Sequence, residues 1–270
     1  MNKKTLLILM FVLFTTICLC SAVSAENLTT EESGTVNGGF YHHAVQPTKY
    51  SDQIAGDVNE EASFEITESE EQTNTNDITD VEYARLYTDV YVAGATNNHT
   101  TLINITLDGN NDGTYETILE NNRILNQVST TNGTIYPVNE NITKVYSDYV
   151  LTYDVTKYIK SNTIKTNIHA ISDLTTGNSQ CKIKCIGLVV AYNDNSNDKI
   201  INYWINTGRT YLKTETSESI FAKKDIDNFY DATLTQIHTS SAEPTTTFNN
   251  QTLNETGSKV YFQENIWNVT

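Results

Sequence analysis

Three oxygen-bearing side chains in the segment LDGNNDG have the spacing of a calcium loop. Asp108, Asn110 and Asp112 occupy positions 1, 3 and 5 of the pattern D-x-N-x-D-G. In calcium loops of this type these positions supply oxygen ligands, and a bidentate glutamate follows at position 12. Position 12 is Leu119 in this chain, although Glu116 offers another carboxylate nearby. The spacing therefore indicates a Ca²⁺ site that lacks its strongest usual ligand.

The same segment also predicts a simple β-hairpin. Two Asp-Gly pairs, at 108–109 and 112–113, lie between two runs of alternating apolar residues, and Asp-Gly is a favoured hairpin sequence. A turn explains both pairs without metal. We therefore predict a turn that is also a candidate weak Ca²⁺ site, and the sequence indicates no other cofactor.

A second candidate binding surface lies on the predicted strand VEYARLYTDVYV. Tyr83, Arg85, Tyr87 and Tyr91 share one face of this strand because its side chains alternate with a period of two. Aromatic faces stack on sugar rings, but they also pack against a second sheet. Packing is the commoner outcome, and the sequence leaves both interpretations open.

Asn-x-Thr sequons provide candidate glycosylation sites for an exported chain. Asn98 and Asn132 lie in predicted loops, and Asn104 and Asn141 are further candidates. The number of sequons is close to what chance gives in a chain so rich in Asn and Thr. Glycosylation of these sites is therefore supported by the predicted export, which exposes them to the glycosylation machinery, and not by their number.

Cysteine chemistry and enzyme motifs are not indicated. Cys181 and Cys185 would share one strand face about 13 Å apart, whereas disulfides need Cα atoms about 4.4–6.8 Å apart. The adjacent His42 and His43 point to opposite faces of an extended chain, a poor arrangement for ligands. No G-x-S-x-G, H-E-x-x-H or phosphate-loop motif occurs. We expect a non-enzymatic protein, with a glycan-active enzyme as a remote alternative.

The N-terminus predicts export. Two lysines precede an apolar run of about 14 residues and then small residues before Ala25, which is the pattern of a signal peptide over residues 1–25. No later run is long enough to span a membrane. Removal of residues 1–25 changes the net charge from −16 to −18, because two lysines and no acids are lost. Such a charge disfavours nucleic acid and anionic membranes as partners, and we expect a secreted or cell-surface protein.

Short alternating segments predict an all-β protein of the β-sandwich or jelly-roll type. On one predicted strand Ile103, Ile105 and Leu107 point inward. KIKCIGLVVAYN is apolar on both faces, as a central strand is. The best helical piece is a short turn after Asp154, capped by that residue or by Thr156.

Two related β-units organise the expected domains. We expect residues 26–33 to be a flexible leader, 34–200 a first unit with an acidic loop or linker over 51–80 in which residues 62–66 could form a short strand, and 201–270 a second unit. Each unit opens with Ala-x-Leu, continues into an Asn- or Asp-rich turn and closes on an aromatic residue followed by Asp/Asn-Val-Thr. The second copy stops at NIWNVT, so we expect it to be incomplete at the C-terminus.

These motifs together resemble an archaeal domain of unknown function that occurs in secreted and adhesin-like surface proteins of methanogens. YARLYTDVYV, LDGNNDGTYE, SDYVLTYDVT, GLVVAYND, NYWINTGRTYL and NIWNVT follow the family's order over residues 34–270. The resemblance implies an exported β-rich surface module with an adhesive or structural role, and a cell-surface glycan or protein as its partner. It implies no reaction. The alternative is a carbohydrate-binding module that uses the tyrosine face or the Asp108 loop.

Overall fold

A computed structural model shows fifteen β-strands and one short 3-10 turn, Thr156–Tyr158, in the described part of the chain. The prediction of an all-β, sandwich-like protein is confirmed. No helix in the described ranges is long and apolar enough to cross a membrane. The signal peptide predicted over 1–25 lies outside these ranges. The structure describes residues 28–48, 56–66, 78, 80–92, 99–127, 135–145, 147–172, 181–194, 200–208, 218–222, 231–239, 245–254 and 262–269.

The strands form two main antiparallel sheets and two small ribbons. In chain order the strands are β1 (Thr29–Val45), β2 (Asp57–Glu65), β3 (Asp80–Val92), β4 (His99–Asp108), β5 (Thr117–Gln127), β6 (Ile135–Pro137), β7 (Ile142–Val145), β8 (Asp148–Asp154), β9 (Thr163–Ser172), β10 (Cys181–Asn193), β11 (Ile200–Thr207), β12 (Thr233–Thr239), β13 (Thr246–Phe248), β14 (Gln251–Leu253) and β15 (Phe262–Asn268). A seven-stranded sheet has the order β11-β1-β10-β3-β8-β7-β6, and a four-stranded sheet has the order β2-β9-β4-β5. The ribbons are β12-β15 and β13-β14.

Alternate residues of both sheets form one apolar core between them. Ile103, Ile105 and Leu107 of β4 are fully buried, as their alternation predicted. They share this core with Phe64 of β2 and Leu86 of β3. β10 lies between β1 and β3 and is buried on both faces, which confirms the prediction of a central strand.

The expected leader and acidic linker differ from the structure. β1 begins at Thr29, so residues 29–33 are strand paired with β11 rather than a flexible leader. Within 51–80, residues 57–65 form β2, whose Ala62 and Phe64 are buried in the core while the acids that alternate with them face outward. The short strand expected over 62–66 is therefore present, but it begins earlier, at Asp57. Residues 51–55, 67–77 and 79 lie outside the described ranges.

The expected domain boundary between residues 200 and 201 falls within the seven-stranded sheet. β11 begins at Ile200 and pairs along its length with β1, which makes it a member of the seven-stranded sheet. β1 is long enough to pair with β11 through residues 29–37 and with β10 through residues 38–45. β1 is therefore hydrogen-bonded to strands of both expected units.

The first copy of the internal repeat is the pairing of β3 with β8. Leu86 lies opposite Tyr153 in the register of these strands. Just beyond them, the Val155 N–H donates a hydrogen bond to the Ala84 carbonyl at 2.9 Å. The β4-β5 hairpin lies between β3 and β8 in the chain.

The second copy has the same hydrogen bonding. Leu234 of β12 lies opposite Trp267 of β15, and the Val269 N–H donates to the Ala232 carbonyl at 2.8 Å. The β13-β14 hairpin lies between these strands in the chain, as β4-β5 does in the first copy. The repeat seen in the motifs is therefore also a repeat of strand register.

Cys181 and Cys185 are both free and buried, but they lie on opposite faces of β10. A bulge between Ile183 and Cys185 shifts the alternation by one residue. The Cys181 Sγ lies 3.6 Å from the Ala170 carbonyl between the sheets, whereas Cys185 pairs with Asp89, which faces away from the core. The expectation that the two thiols share a face is therefore wrong.

Candidate cation site

The segment with calcium-loop spacing connects β4 to β5. β4 ends at Asp108 and β5 begins at Thr117, so the connection comprises residues 109–116. The predicted hairpin is confirmed, but its loop is longer than a two-residue Asp-Gly turn. Asn111 (φ 57°) and Gly113 (φ 86°) take the left-handed conformation within this loop.

Three carboxylates converge at this loop. Asp108, Asp112 and Glu116 each place a carboxylate oxygen within 4.8 Å of the others. Asp112 and Glu116 are exposed, whereas Asp108 is fully buried. Two of the three predicted ligands are thus brought together. Glu116, which the sequence suggested only as a substitute oxygen, completes the group.

The buried Asp108 carboxylate has one partnered and one unpartnered oxygen. Its Oδ2 accepts a hydrogen bond from the Gly113 N–H at 3.0 Å. Its Oδ1 is buried and has no hydrogen-bond partner in the described part of the chain. An unpartnered buried carboxylate oxygen costs free energy, because the water it has lost is not replaced. A cation held with Asp112 and Glu116 would provide the missing interaction.

Asn110 orients Asp112 in this geometry. The Asn110 Oδ1 accepts from the Asp112 N–H at 3.3 Å, and its Nδ2 donates to the Asp112 Oδ2 at 3.1 Å. The Thr114 N–H donates to the Asp112 Oδ1 at 2.8 Å, and this bond lowers the pKa of Asp112. Asp112 is therefore held ionised and in place by Asn110 and Thr114.

Contacts outside the loop fix its position. The Tyr115 hydroxyl donates to the Glu61 Oε2 of β2 at 2.5 Å. At the other end the Lys160 N–H donates to the Gly109 carbonyl at 2.8 Å. A Cβ at Gly109 would come within 2.1 Å of the Tyr158 carbonyl oxygen, so only glycine fits there. The loop is thus packed directly against the segment that contains the 3-10 turn.

That 3-10 turn forms where the sequence predicted a helical turn. The Thr156 N–H donates to the Asp154 Oδ1 at 3.0 Å, so Asp154 supports the start of the turn, although Val155 is the N-cap. Hydrogen bonds from Thr156 lower the pKa of Asp154. An ionised carboxylate therefore stands beside the turn.

The predicted tyrosine face lies on the side of β3 away from the core and is largely packed. Burial raises the pKa of both Tyr83 and Tyr87. Arg85 between them forms an ion pair with Glu31 of β1, a residue of the expected leader. These contacts favour packing over ligand binding for the three residues.

Tyr91, the fourth residue of this face, lies beside a buried ion pair. The Lys184 Nζ stands 4.9 Å from the centroid of the Tyr91 ring and 2.5 Å from the Asp148 Oδ1. Lys184 is buried and therefore covers part of the ring. A ligand role for this face stays a prediction that the described contacts do not support.

The predicted sequons fall into different environments. Asn98 and Asn132 lie outside the described residues. Asn104 lies on β4, and its Oδ1 accepts from the Asn122 N–H at 2.7 Å, so its side chain is part of the hairpin. Asn141 is half-buried just before β7.

Comparison with known proteins gives one match. A family model described as Protein of unknown function (DUF3344) matches residues 22–270, which include both sheets, the cation loop and the C-terminal ribbons. Neither the curated proteins nor the solved structures gave a match to this chain. The expected resemblance to an uncharacterised domain is confirmed at this level. Because the match spans nearly the whole sequence, the chain belongs to the DUF3344 family of proteins of unknown function.

Proposed function

We propose that this protein is an exported, non-enzymatic surface module of archaeal origin, adhesive or structural in role, whose β4-β5 loop is ordered by a calcium ion. Export is supported by the signal-peptide pattern of residues 1–25. The surface role is supported by the resemblance to adhesin-like proteins. The observation that carries the proposal is the unpartnered Oδ1 of the buried Asp108, placed beside Asp112 and Glu116.

The chemistry of the candidate metal ligands favours calcium. The three converging ligands are carboxylates, which are hard oxygen donors suited to Ca²⁺, Mg²⁺ and Mn²⁺ rather than to softer metals. Magnesium requires near-ideal octahedral geometry and releases its water reluctantly, whereas calcium accepts flexible arrangements of six to eight oxygens. The loop carbonyls and solvent around two exposed carboxylates can complete such a shell. Calcium therefore fits this loop best.

The test is the effect of Asp108→Asn on stability, which we expect to change sign between chelator and calcium. In chelator we expect this variant to be at least as stable as the wild type, because it removes a buried charge and keeps an acceptor for the Gly113 N–H. In calcium at tenfold excess over Kd, we expect only the wild type to gain about 1.4 kcal/mol. For a domain of this size that is a rise in Tm of about 3–6 °C. Thermal unfolding of both proteins in calcium and in chelator measures the effect.

Glu140→Gln is the matched control, because Glu140 is exposed and lies outside the carboxylate group. It removes one negative charge and should keep the full response to calcium. An equal rise in all three proteins would mean diffuse screening of an acidic chain and would contradict the site. No rise in the wild type would contradict it as well.

Export also exposes the sequons, and we expect a glycan on Asn250, which the sequence did not single out. Asn249 (φ 48°) and Asn250 (φ 64°) form the two-residue turn between β13 and β14, and both are exposed. We expect Asn104 to stay unmodified because its side chain is bonded within the hairpin. Peptide mass mapping of the protein from its source organism tests both sites. A glycan on Asn104 with a bare Asn250 would contradict this prediction.

A further inference from the structure

A groove of about 600 Å³ opens beside the 3-10 turn, at the end of the sandwich that carries the cation loop. Residues of β3, β5 and β8 line it together with Asn141 and residues 156–160. Ligand-binding clefts commonly have volumes of about 300–1,000 Å³. The groove is therefore large enough for a small ligand or for part of a chain-like one.

Hydrogen bonds fix the walls of this groove. Tyr153 lines it and donates its hydroxyl to the Glu120 Oε1 at 3.0 Å. Lys160 also lines it, and its N–H is bonded to Gly109 of the cation loop. Both residues are therefore held by the fold before any ligand arrives, which lowers the ordering cost of binding.

The charge of the groove is balanced, in contrast to the rest of the chain. Two acidic residues, Asp80 and Asp154, and two basic residues, Lys157 and Lys160, line it in a protein of net charge −16. A strongly anionic ligand is repelled by the chain as a whole, and a cationic ligand meets the two lysines. Mixed donors and acceptors without net charge suit a neutral ligand that both gives and accepts hydrogen bonds.

An exposed apolar surface lies within the same groove. Ile118 of β5 lines it and is 63% exposed, so its side chain offers apolar surface to a ligand in the groove. The Lys157 Nζ stands 4.8 Å from the centroid of the Tyr158 ring, which holds this donor at the groove. An apolar patch beside fixed donors and acceptors matches the C–H face and the hydroxyls of a pyranose ring.

An extended peptide is a poorer fit, although β5 is the terminal strand of its sheet. The pairing of β5 with β4 is irregular on both sides of Ile105, and Asn122 of β5 takes a φ of 51°. Bulges of this kind twist an edge away from regular pairing and disfavour addition of another strand. The groove therefore favours a sugar chain over a β-strand.

We propose that this groove binds a neutral oligosaccharide, with Ile118 against a sugar face and with Asp154, Lys157 and Asn141 bonding its hydroxyls. The inference rests on the proposed adhesive role and names the ligand class for it. Binding is non-covalent, so no bond of the sugar is made or broken.

The experiment uses protein from a host that adds no N-glycans, because Asn141 is itself a sequon in the groove. An array of neutral gluco-, manno-, galacto- and chito-oligosaccharides, with sulfated and uronic-acid oligosaccharides beside them, is probed in calcium. We expect retention of a neutral series and none of the anionic ones. Calorimetric titration with the retained oligosaccharide should show at least tenfold weaker binding for Ile118→Asn. The matched control is Ile124→Asn, which alters an isoleucine of the same strand that is 53% exposed and outside the groove.

Retention of no oligosaccharide, or of anionic ones only, would overturn the inference. So would an equal loss of affinity in Ile118→Asn and Ile124→Asn, or binding of an extended peptide library at the groove in place of sugars. The calcium-dependent rise in Tm, measured on the same variants, should persist in Ile118→Asn. Absence of sugar binding with this rise intact therefore counts against the groove alone, whereas absence of the rise counts against the calcium site.

Discussion

Replacing Phe64 with alanine should lower the free energy of unfolding by about 3–5 kcal/mol. Phe64 is fully buried and belongs to the core between the two sheets. Its removal would leave a cavity that rigid strands on both sides cannot close. Denaturant unfolding followed by tyrosine and tryptophan fluorescence measures the loss.

The neighbouring Ser63→Ala serves as the control because Ser63 is exposed on the opposite face of β2. Its effect should stay within about 0.5 kcal/mol, as for most surface changes. A comparably small effect of Phe64→Ala would mean that β2 is not docked on the core. The acidic segment 51–80 would then be a linker after all.

Replacing Gly109 with alanine is expected to cost about 1–3 kcal/mol, the usual range for overpacking a tight site. The added Cβ would stand 2.1 Å from the Tyr158 carbonyl oxygen, and a backbone atom cannot move aside as a side-chain tip can. The loop would have to lift from the 3-10 segment and break the bond between Gly109 and Lys160. The same denaturant experiment, with the calcium response recorded alongside, measures the cost.

Gly113→Asn tests whether glycine is needed elsewhere in the loop. Gly113 has a φ of 86°, and a Cβ added there would meet no described atom within 4 Å. Asparagine tolerates left-handed conformations better than most other residues do. We therefore expect a change well below that of Gly109→Ala. Equal losses at both positions would contradict the argument that the contact with Tyr158 sets the cost at Gly109.

Strands with a clear period of two were predictable from the sequence. The faces of β3 and β4 follow from simple alternation, since a strand buried on one side admits no other spacing. β10 was predictable for the opposite reason, because a strand covered on both faces loses its alternation. The repeat was visible in its motifs, and the same Ala-x-Leu register recurs in β3-β8 and β12-β15.

Composition misled the prediction where it outweighed alternation. Asp57, Glu61 and Glu65 lie on the outer face of β2, so the acidic composition favoured a solvated linker and left only a short strand expected over 62–66. The bulge before Cys185 was not predicted either, because one extra residue in a strand gives no recognisable signal in the sequence pattern. Both errors arise where pairing with a distant strand decides the local structure.

The cation site was predictable only in part for the same reason. Asp108 and Asp112 follow from the motif, but the role of Glu116 depends on the length of the loop and on the path of the chain through it. The unpartnered oxygen of Asp108 depends on burial by other elements. The groove is formed by four separate segments, so no local pattern indicates it.

The long strand β1 has a mechanical consequence. It is hydrogen-bonded to β11 through residues 29–37 and to β10 through residues 38–45, and both neighbours run antiparallel to it. A pulling force directed along β1 loads these hydrogen bonds in shear, so that many must yield together. A force across the sheet opens them one after another from an end. We therefore expect the sheet to resist force best when it is pulled along this strand.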